Sequence, residues 1–392
     1  RDTDRSRGLG DVYKRQVLTM IYDIKLFPPV MSICNILSEL NYEIVYIGGC
    51  SDATIEKALT EKNYVRFYRT SLYGGNGIQR IFQQWRYRKQ VLRILETEYI
   101  PKNTFLWLLH SETVSLFSGV LERYDTIAHL FEFKNPSQKW AYKLLNPFSS
   151  FEANLKKSKR VICCEYNRAH ITKAIYNLDK LPYILPNKPY NKQQSEELLI
   201  LPPSIQELVS KYREKKIILY QGIFIPERKV DDFIEAVNLL PNDYVLFLMG
   251  GGTSLYNELK NKYQSDRIVF LPFLPPPLHL EITKLAHIGI LVYIVNGVPI
   301  NHAINVLYCA PNKLYEYSKF GIPMIANDLP ALNMVFSQNK AGVCLQTLSA
   351  EEISRAILEI DYDYDAYSKA SNQLYSSIDM VDLVKTILSD ED

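Results

Sequence analysis

The sequence predicts an α/β protein made of two doubly wound parallel-sheet domains that face each other across a cleft. The chain has 392 residues, which is enough for two domains of ordinary size. Short apolar runs alternate with longer amphipathic stretches in both halves, as repeated βαβ units require. A stretch rich in Pro, Asn, Lys and Gln at 185–204 interrupts this alternation, so we expect a linker at 191–204.

The apolar runs predict the elements of each half. In the first half we expect strands at 17–22, 44–47, 104–109 and 161–164, with a helix at 30–40. In the second half we expect strands at 217–220, 244–249, 268–271, 288–293 and 323–326, with helices at 230–240 and 313–320. The predicted domains are an N-terminal domain at 17–190, a C-terminal domain at 205–370, and a last helix within 371–392 that packs back on the N-terminal domain. Open parallel sheets bind ligands at the carboxyl ends of their strands, so we expect the active site between the domains.

The composition excludes several classes of protein. Lys and Arg number 45 against 43 Asp and Glu, so the chain lacks the basic excess that nucleic-acid binding favours. Six cysteines without a CxxC pair or zinc-finger spacing indicate reduced thiols and a cytoplasmic protein. No window approaches the ~20 apolar residues of a membrane-spanning helix. Residues 1–16 are charged and aperiodic and lack the apolar core of a signal peptide, so we interpret them as a foreign tail.

The first candidate for chemistry is the segment YQGIFIPERKVD at 220–231. It leaves a strand, turns at Gly222, and brings Arg228 and Lys229 to the start of a helix. A helix N-terminus with a neighbouring guanidinium suits a phosphate group, because free N–H groups and a fork of donors meet there. A solvated basic turn is the alternative interpretation.

The second candidate is the segment YCAPNKLYEYSKFGIP at 308–323. Pro311 opens a helix that carries Lys313 and Glu316 and ends at Gly321, which is the expected punctuation of a helix. A carboxylate there can accept hydrogen bonds from a ribose diol, while Lys313 faces phosphate. The alternative is a capped helix whose first-turn Glu complements the helix dipole.

Together these segments resemble the retaining glycosyltransferases of family 4, of the glycosyl transferases group 1 type, which have the GT-B fold of two Rossmann-like domains. The resemblance rests on the segments YQGIFIPER, FLMGGG, RIVFLPFLPP, AHIGILVY and APNKLYEYSKFGIPMIANDLP, in that order, and covers nearly the whole chain from residue 17. It implies a nucleotide-diphosphate sugar as donor, retention at the anomeric carbon, and no metal or other cofactor. It also implies a saccharide or lipid-linked saccharide as acceptor, in the synthesis of bacterial surface polysaccharide.

The resemblance assigns roles residue by residue. Glu316 matches the carboxylate that holds the ribose, whereas Tyr308 stands where the family has a second Glu that contacts the sugar. Ile223 stands where the family has its first basic residue, Arg228 matches the second, and Lys313 replaces the missing charge. The remaining donor-binding candidates are Gly222, Gly250, Gly251, Leu271, Phe273, Pro311 and Asn312, with a plain turn or strand end as the alternative for the glycines and Leu271.

Candidates in the N-terminal half come from polar residues near strand ends. His110 follows the strand at 104–109 and, by the resemblance, is expected near the anomeric carbon; a hydrogen-bonded strand-end histidine is the alternative. The acceptor-side candidates are Glu112, His129, Glu132, Glu165 and Arg168.

Two further features have separate interpretations. The segment 78–99 has helical spacing of Ile81, Phe82, Trp85, Leu92 and Leu95, with basic residues from Arg80 to Arg93, so it predicts either peripheral contact with the inner face of the plasma membrane or a surface helix covering the sheet. The carboxylates Asp361, Asp363 and Asp365 have DxD spacing, but we expect a solvated loop between helices there and no metal.

Two other functions remain open. A non-catalytic subunit that binds a nucleotide sugar could use the same fold, and the replacement at Tyr308 is compatible with it. A sugar-nucleotide epimerase on the same frame would need a set of acid and base carboxylates, and would act without an acceptor.

Overall fold

The computed structural model describes residues 15–60, 65–98, 104–135, 140–190 and 200–389. The described residues form two compact units. The first contains the residues up to 190 together with 380–389, and the second contains residues 200–379. The last helix therefore belongs with the N-terminal unit, whereas the helix before it belongs with the C-terminal unit.

The N-terminal unit is built on a parallel sheet with the strand order β3-β2-β1-β4-β5-β6-β7. Its strands are β1 (Arg15–Asp23), β2 (Glu43–Gly49), β3 (Val65–Arg69), β4 (Thr104–Leu109), β5 (Asp125–Leu130), β6 (Arg160–Cys163) and β7 (Tyr183–Ile184). In β1, Val17 pairs with Val45 of β2 on one side and with Leu106 of β4 on the other. Both faces of the sheet are covered, so its central strands are almost continuously apolar.

The C-terminal unit is built on a second parallel sheet with the order β10-β9-β8-β11-β12-β13. Its strands are β8 (Lys216–Gln221), β9 (Tyr244–Met249), β10 (Ile268–Leu271), β11 (Ile288–Leu291), β12 (Met324–Asn327) and β13 (Gly342–Leu345). Successive side chains point to opposite faces: Leu219 and Phe247 enter one core, and Tyr220 and Leu248 enter the other. In each sheet the strand order changes direction next to the first strand, between β1 and β4 and between β8 and β11. This is the topology of a doubly wound fold.

Helices cover both sheets. Those of the first unit are α1 (Pro28–Glu39), α2 (Ala53–Thr60), α3 (Gly77–Glu98), α4 (Ser111–Leu116), α5 (Trp140–Leu145), α6 (Phe151–Lys157) and α7 (Tyr166–Tyr176). The C-terminal unit has α8 (Pro203–Ser210), α9 (Asp231–Leu239), α10 (Ser254–Tyr263), α11 (Leu280–Thr283), α12 (Ile300–Leu307), α13 (Asn312–Lys319), α14 (Pro330–Asn339), α15 (Ala350–Tyr362) and α16 (Tyr364–Ser376). The last helix, α17 (Met380–Ser389), packs against α1 within the first unit.

Two expectations from the sequence need correction. Arg15 and Gln16, which we placed in a foreign tail, are strand residues of β1; the indole N–H of Trp107 donates to Gln16 Oε1 at 2.7 Å. The predicted solvated loop at 361–365 is reduced to Asp363, which is exposed and separates α15 from α16. Asp361 instead lies in the last turn of α15, where it accepts hydrogen bonds from Lys216 Nζ at 2.8 Å and His287 Nε2 at 2.7 Å, and the exposed Asp365 lies in the first turn of α16.

Candidate active site

Three neighbouring strands of the C-terminal sheet end together and bring glycine turns to one edge. The Gly222 N–H donates to the Met249 carbonyl at 2.9 Å, and the Gly250 N–H donates to the Leu271 carbonyl at 3.1 Å. Gly222 has a φ of +146°, and a Cβ atom there would lie 2.5 Å from Lys313 Nζ. A Cβ atom on Gly250 would overlap the Gly222 carbonyl oxygen. Glycine is therefore required at both positions, because the backbone turns and the lysine approach closely.

Lys313 lies in the first turn of α13, and its ammonium is enclosed by aromatic rings. Nζ is 5.0 Å from the centroid of the Tyr220 ring and 5.9 Å from that of Tyr293. Removal from water and, to a smaller extent, the nearby charge of Arg228 lower the pKa of Lys313 to about 7, against the opposite effect of Glu316. An anion bound here would favour the charged form of Lys313.

Arg228 occupies the same region from the turn between β8 and α9. Its Cζ atom lies 3.8 Å from the centroid of the Tyr293 ring, a cation–π distance. The Ile294 N–H donates to the Glu227 carbonyl at 2.9 Å, which joins this turn to the segment after β11. Within the described residues, neither Arg228 nor Lys313 forms an ion pair with a carboxylate. Two cations therefore converge on Tyr293 without a carboxylate in direct contact with either, among the described residues.

Glu316 is the fifth residue of α13, and its carboxylate is held by two side chains from other elements. Gln221 Nε2 donates to Oε2 at 2.6 Å, and His279 Nε2 lies 3.3 Å from Oε1. The Thr283 hydroxyl donates to Gln221 Oε1 at 2.7 Å and fixes the orientation of that amide. The alternative of a first-turn Glu that complements the dipole is wrong, because Glu316 lies in the second turn and has specific donors.

The other donor-binding candidates differ in burial and in whether backbone or side chain is available. Pro311 caps α13 and Asn312 is its first residue, so both contribute backbone at the helix start. Tyr308 ends α12 and is partly buried. The Leu271 side chain is in the core, and its carbonyl accepts from Gly250 and from the Tyr256 hydroxyl at 3.0 Å. Two further candidates are close to each other: Phe273 is 61% exposed, and a Cβ atom on Gly251 would lie 3.7 Å from its N atom.

In the N-terminal unit, His110 is buried at the carboxyl end of β4. Its φ is +73°, which is uncommon for a residue with a side chain, and Nδ1 accepts from the Glu112 N–H at 3.3 Å. The ring packs edge-on against Tyr22 and Phe27, with centroids at 4.7 and 5.3 Å. Burial lowers the pKa of His110 to about 4, so the ring is neutral at pH 7. Unusual backbone geometry of this kind is frequent at functional sites, but capping α4 also explains the contact.

The acceptor-side candidates of the N-terminal unit are mostly engaged in internal bonds. Glu112 accepts a hydrogen bond from Lys134 Nζ at 3.0 Å. Glu165 caps α7, with bonds from the Arg168 N–H at 2.8 Å and from Asn167 at 2.7 Å, and Arg168 Nη1 donates to the Phe131 carbonyl at 2.9 Å. These bonds give Glu165 and Arg168 a structural role within the N-terminal unit.

His129 and Glu132, predicted as a pair, have opposite surroundings. His129 lies inside β5, is 1% exposed, and packs on Phe131 with ring centroids 4.4 Å apart. Neither ring nitrogen has a hydrogen-bond partner among the described residues. Burial lowers the pKa of His129 to about 3. Glu132, by contrast, is exposed.

The predicted helix at 78–99 is present as α3, but its buried face differs from the expected one. Gln84, Tyr87, Val91 and Leu95 are buried, whereas Ile78, Phe82 and Trp85 are 71%, 72% and 48% exposed. The exposed basic residues of α3 are Arg80, Arg86, Lys89 and Arg93. Exposed apolar side chains continue on α5, at Trp140, Leu144 and Leu145. We call the ten exposed residues, six apolar ones on the two helices and four basic ones on α3, the α3–α5 surface.

The segment that directly follows α5 contacts α3. Trp85 packs edge-on against Phe148, with ring centroids 5.6 Å apart, and Asn146 donates to the Gln84 side chain. No described helix is long and apolar enough to cross a membrane. In the described part of the chain, no group of three or more His, Cys, Asp or Glu side chains is arranged to hold a metal ion.

The chain is similar to known proteins in the family of its C-terminal unit and in its fold. Residues 204–376, which span most of the C-terminal unit, match the family described as Glycosyl transferases group 1. The structure of Anabaena Alr3699/HepE in complex with UDP-glucose is similar, with 11% identity, 95% of this chain and 98% of that chain covered, and a TM-score of 0.65. WaaG, a glycosyltransferase involved in lipopolysaccharide biosynthesis, shares 12% identity over 96% of this chain and 100% of that chain, with a TM-score of 0.61.

A candidate UDP-N-acetylglucosamine 2-epimerase from Listeria monocytogenes shares 9% identity over 97% of this chain and 98% of that chain, with a TM-score of 0.62. No curated protein sequence matches the chain. At these identities the structural matches show the fold, two Rossmann-like domains as in GT-B glycosyltransferases, and the family match describes the C-terminal unit.

Proposed function

We propose that this protein, a glycosyltransferase with a group 1 domain, transfers a hexose from a nucleotide-diphosphate sugar to a saccharide or lipid-linked saccharide. The observation that carries the proposal is the edge of the C-terminal sheet. Arg228 and Lys313, which form no ion pair within the described residues, lie beside glycine turns, and an oriented carboxylate, Glu316, follows one turn later on α13. That set suits a diphosphate joined to a ribose.

The cations supply the electrostatic part of the mechanism. When the donor reacts, the bond between the anomeric carbon and the diphosphate oxygen breaks and negative charge develops on the departing nucleoside diphosphate. Arg228, Lys313 and the N–H groups at the start of α13 would stabilise that charge. We propose that they do so without a divalent metal.

The new glycosidic bond forms to an acceptor hydroxyl, whose proton leaves with a departing phosphate oxygen. By resemblance to family 4, the hydroxyl attacks from the face that the diphosphate leaves, so the configuration is retained. Tyr308 would stand beside the sugar, in place of the family's second carboxylate. On the acceptor side we propose His110 and Glu112, which lie together at the end of β4.

Turnover tests this proposal. The chain would be incubated with UDP-glucose and other nucleotide sugars, with and without an acceptor mixture, and the products would be followed by NMR. We expect transfer only when acceptor is present, with the anomeric configuration of the donor kept. An inverted product contradicts retention. Interconversion of the free nucleotide sugar would favour an epimerase, and binding without any turnover would favour a non-catalytic subunit.

We also propose that the enzyme works at the inner face of the plasma membrane, in the synthesis of bacterial surface polysaccharide. The α3–α5 surface supports this, because exposed Phe and Trp side chains lie beside Arg and Lys on the same helix, the combination that binds anionic lipid headgroups. None of the six cysteines forms a disulfide, which is compatible with a cytoplasmic location. A lipid-linked acceptor would then be reached from the membrane.

Vesicle co-sedimentation tests the membrane contact. We expect the chain to bind vesicles of phosphatidylcholine and phosphatidylglycerol, and to bind phosphatidylcholine alone weakly. Replacing both Phe82 and Trp85 by Ser should reduce binding by about tenfold or more, since each side chain loses its apolar burial. Tyr362→Ser, at a residue 94% exposed in the C-terminal unit, is the matched control and should have no effect. Equal binding by all variants would contradict the contact.

A further inference from the structure

A chain of hydrogen bonds runs through three elements of the C-terminal unit and ends at the Glu316 carboxylate. It begins at Thr283 in α11, passes through the amide of Gln221 at the end of β8, and reaches Glu316 in α13. His279, which precedes α11, approaches the other carboxylate oxygen. All four side chains are buried or nearly so; His279 and Glu316 are 13% and 14% exposed. Neither Gln221, Thr283 nor His279 was a candidate from the sequence.

The chemistry of these groups fixes what each contributes. An ionised carboxylate only accepts hydrogen bonds and has about four lone-pair sites on its two oxygens. Gln221 uses one site on Oε2. His279 Nε2 lies 3.3 Å from Oε1, and its Nδ1 is a buried atom without a hydrogen-bond partner among the described residues. One site on each oxygen stays available, which matches two neighbouring hydroxyl groups.

A nearby positive charge also acts on the carboxylate. Glu316 lies three residues after Lys313 on α13, and the two charges interact. Opposite charges attract, so the contacts of Gln221 and His279 with the carboxylate compete with the ammonium of Lys313.

We propose that His279 is a positioning residue for donor recognition: with Gln221 it orients Glu316 so that the carboxylate binds both hydroxyls of the donor ribose. This inference rests on the proposed function, because it concerns the same donor site. It predicts that the affinity gained from a ribose hydroxyl is smaller when His279 is replaced.

A double-mutant cycle between enzyme and ligand tests it. UDP and 2′-deoxy-UDP would be titrated by calorimetry into the intact chain and into His279→Ala, His279→Gln and Glu316→Ala. For the intact chain we expect the missing hydroxyl to weaken binding about tenfold or more, the usual effect of a hydrogen bond to a charged group. In His279→Ala, UDP should lose about tenfold in affinity, and 2′-deoxy-UDP should lose less because it has only the 3′-hydroxyl contact to lose. His279→Gln, whose amide can still donate, should recover most of the discrimination.

The possible results separate the inference from the proposed function. If the intact chain binds neither UDP nor the corresponding guanosine, adenosine or thymidine diphosphates, the proposed function fails. If UDP binds and Glu316→Ala weakens it, but His279→Ala keeps the full discrimination against 2′-deoxy-UDP, only the role of His279 is overturned. Equal losses for both ligands in His279→Ala would show a general structural role and would also overturn it.

Discussion

Both units place polar residues at the carboxyl ends of their strands, yet these residues are used differently. In the C-terminal unit, Arg228 and Lys313 converge on Tyr293, and neither forms an ion pair within the described residues. In the N-terminal unit, Glu112 is paired with Lys134, and Glu165 caps α7. Position at a strand end is thus common to both sets, but Glu112 and Glu165 are engaged in internal bonds, whereas Arg228 and Lys313 are not paired with a carboxylate within the described residues.

The difference teaches how a site for an anion can be distinguished from a stabilising network. Two cations near each other repel, and burial makes each more costly, so a fold that retains them gains nothing in stability from the arrangement. A helix cap such as Glu165, by contrast, satisfies the N–H groups of its own helix. Substitutions in the two units should therefore affect different properties.

The largest expected effect separates ligand affinity from stability. Arg228→Ala should weaken binding of a nucleotide-diphosphate sugar by about 100-fold, because a guanidinium can donate two charge-assisted hydrogen bonds to phosphate. Glu165→Ala should leave that affinity unchanged and lower the free energy of unfolding by about 1 kcal/mol, the usual cost of a lost helix cap. Calorimetric titration and urea unfolding measure the two effects, and a loss of affinity in Glu165→Ala would break the comparison.

A second prediction uses the pKa of Lys313, which is lowered to about 7 in the free protein. Bound diphosphate should raise that pKa, so binding takes up a proton above pH 7. Affinity for UDP-glucose should then fall by up to about tenfold per pH unit between pH 7 and 9. Lys313→Met should bind more weakly at pH 7 and show little change over this range. Titrations in buffers of different ionisation enthalpy would detect the proton uptake, and an equal pH dependence in Lys313→Met would contradict the prediction.

The third prediction concerns acid stability of the N-terminal unit. Burial lowers the pKa of His129 to about 3 and that of His110 to about 4, against an ordinary value of 6.5. The unfolded chain therefore binds more protons between pH 6.5 and 3, so stability contributed by the neutral rings is lost as pH falls through that window. His129→Leu should reduce this loss by an amount on the order of 1–3 kcal/mol at pH 4.5.

Urea unfolding of the N-terminal unit at pH 7 and pH 4.5 would measure the effect. His170→Leu, at an exposed histidine of α7, is the control and should keep the acid sensitivity of the intact chain. If His129→Leu loses as much stability on acidification as the control, His129 does not account for the sensitivity.

Much of the fold could be predicted from apolar runs alone. The strands at 104–109, 244–249 and 268–271 have the predicted bounds. Strand β5 was missed because its sequence, DTIAHL, contains Asp, Thr and His, although most of it is buried. Strand β11 ends at Leu291, earlier than predicted, because the N–H and carbonyl of Tyr293 pair with the Asn327 side chain at 2.9 and 2.8 Å.

The candidate site was only partly predictable. Arg228, Lys313 and Glu316 are signalled by local patterns, since each lies in a segment that leaves a strand or begins a helix. Gln221 and Glu316 are 95 residues apart, so their contact depends on tertiary structure. The orientation of α3 was mispredicted for a similar reason: Gln84 and Tyr87 are buried because they hydrogen-bond Tyr73 at 2.9 Å and Thr19 at 2.5 Å.

The most direct test of the central claim is a calorimetric screen of UDP, GDP, ADP, CMP and dTDP sugars in the presence of EDTA, with the intact chain and with Glu316→Ala. We predict that at least one diphosphate sugar binds without a divalent metal, and that Glu316→Ala weakens this binding about tenfold or more. If no donor binds, or if the donor that binds does so equally well to Glu316→Ala, the C-terminal edge described above is not the donor site.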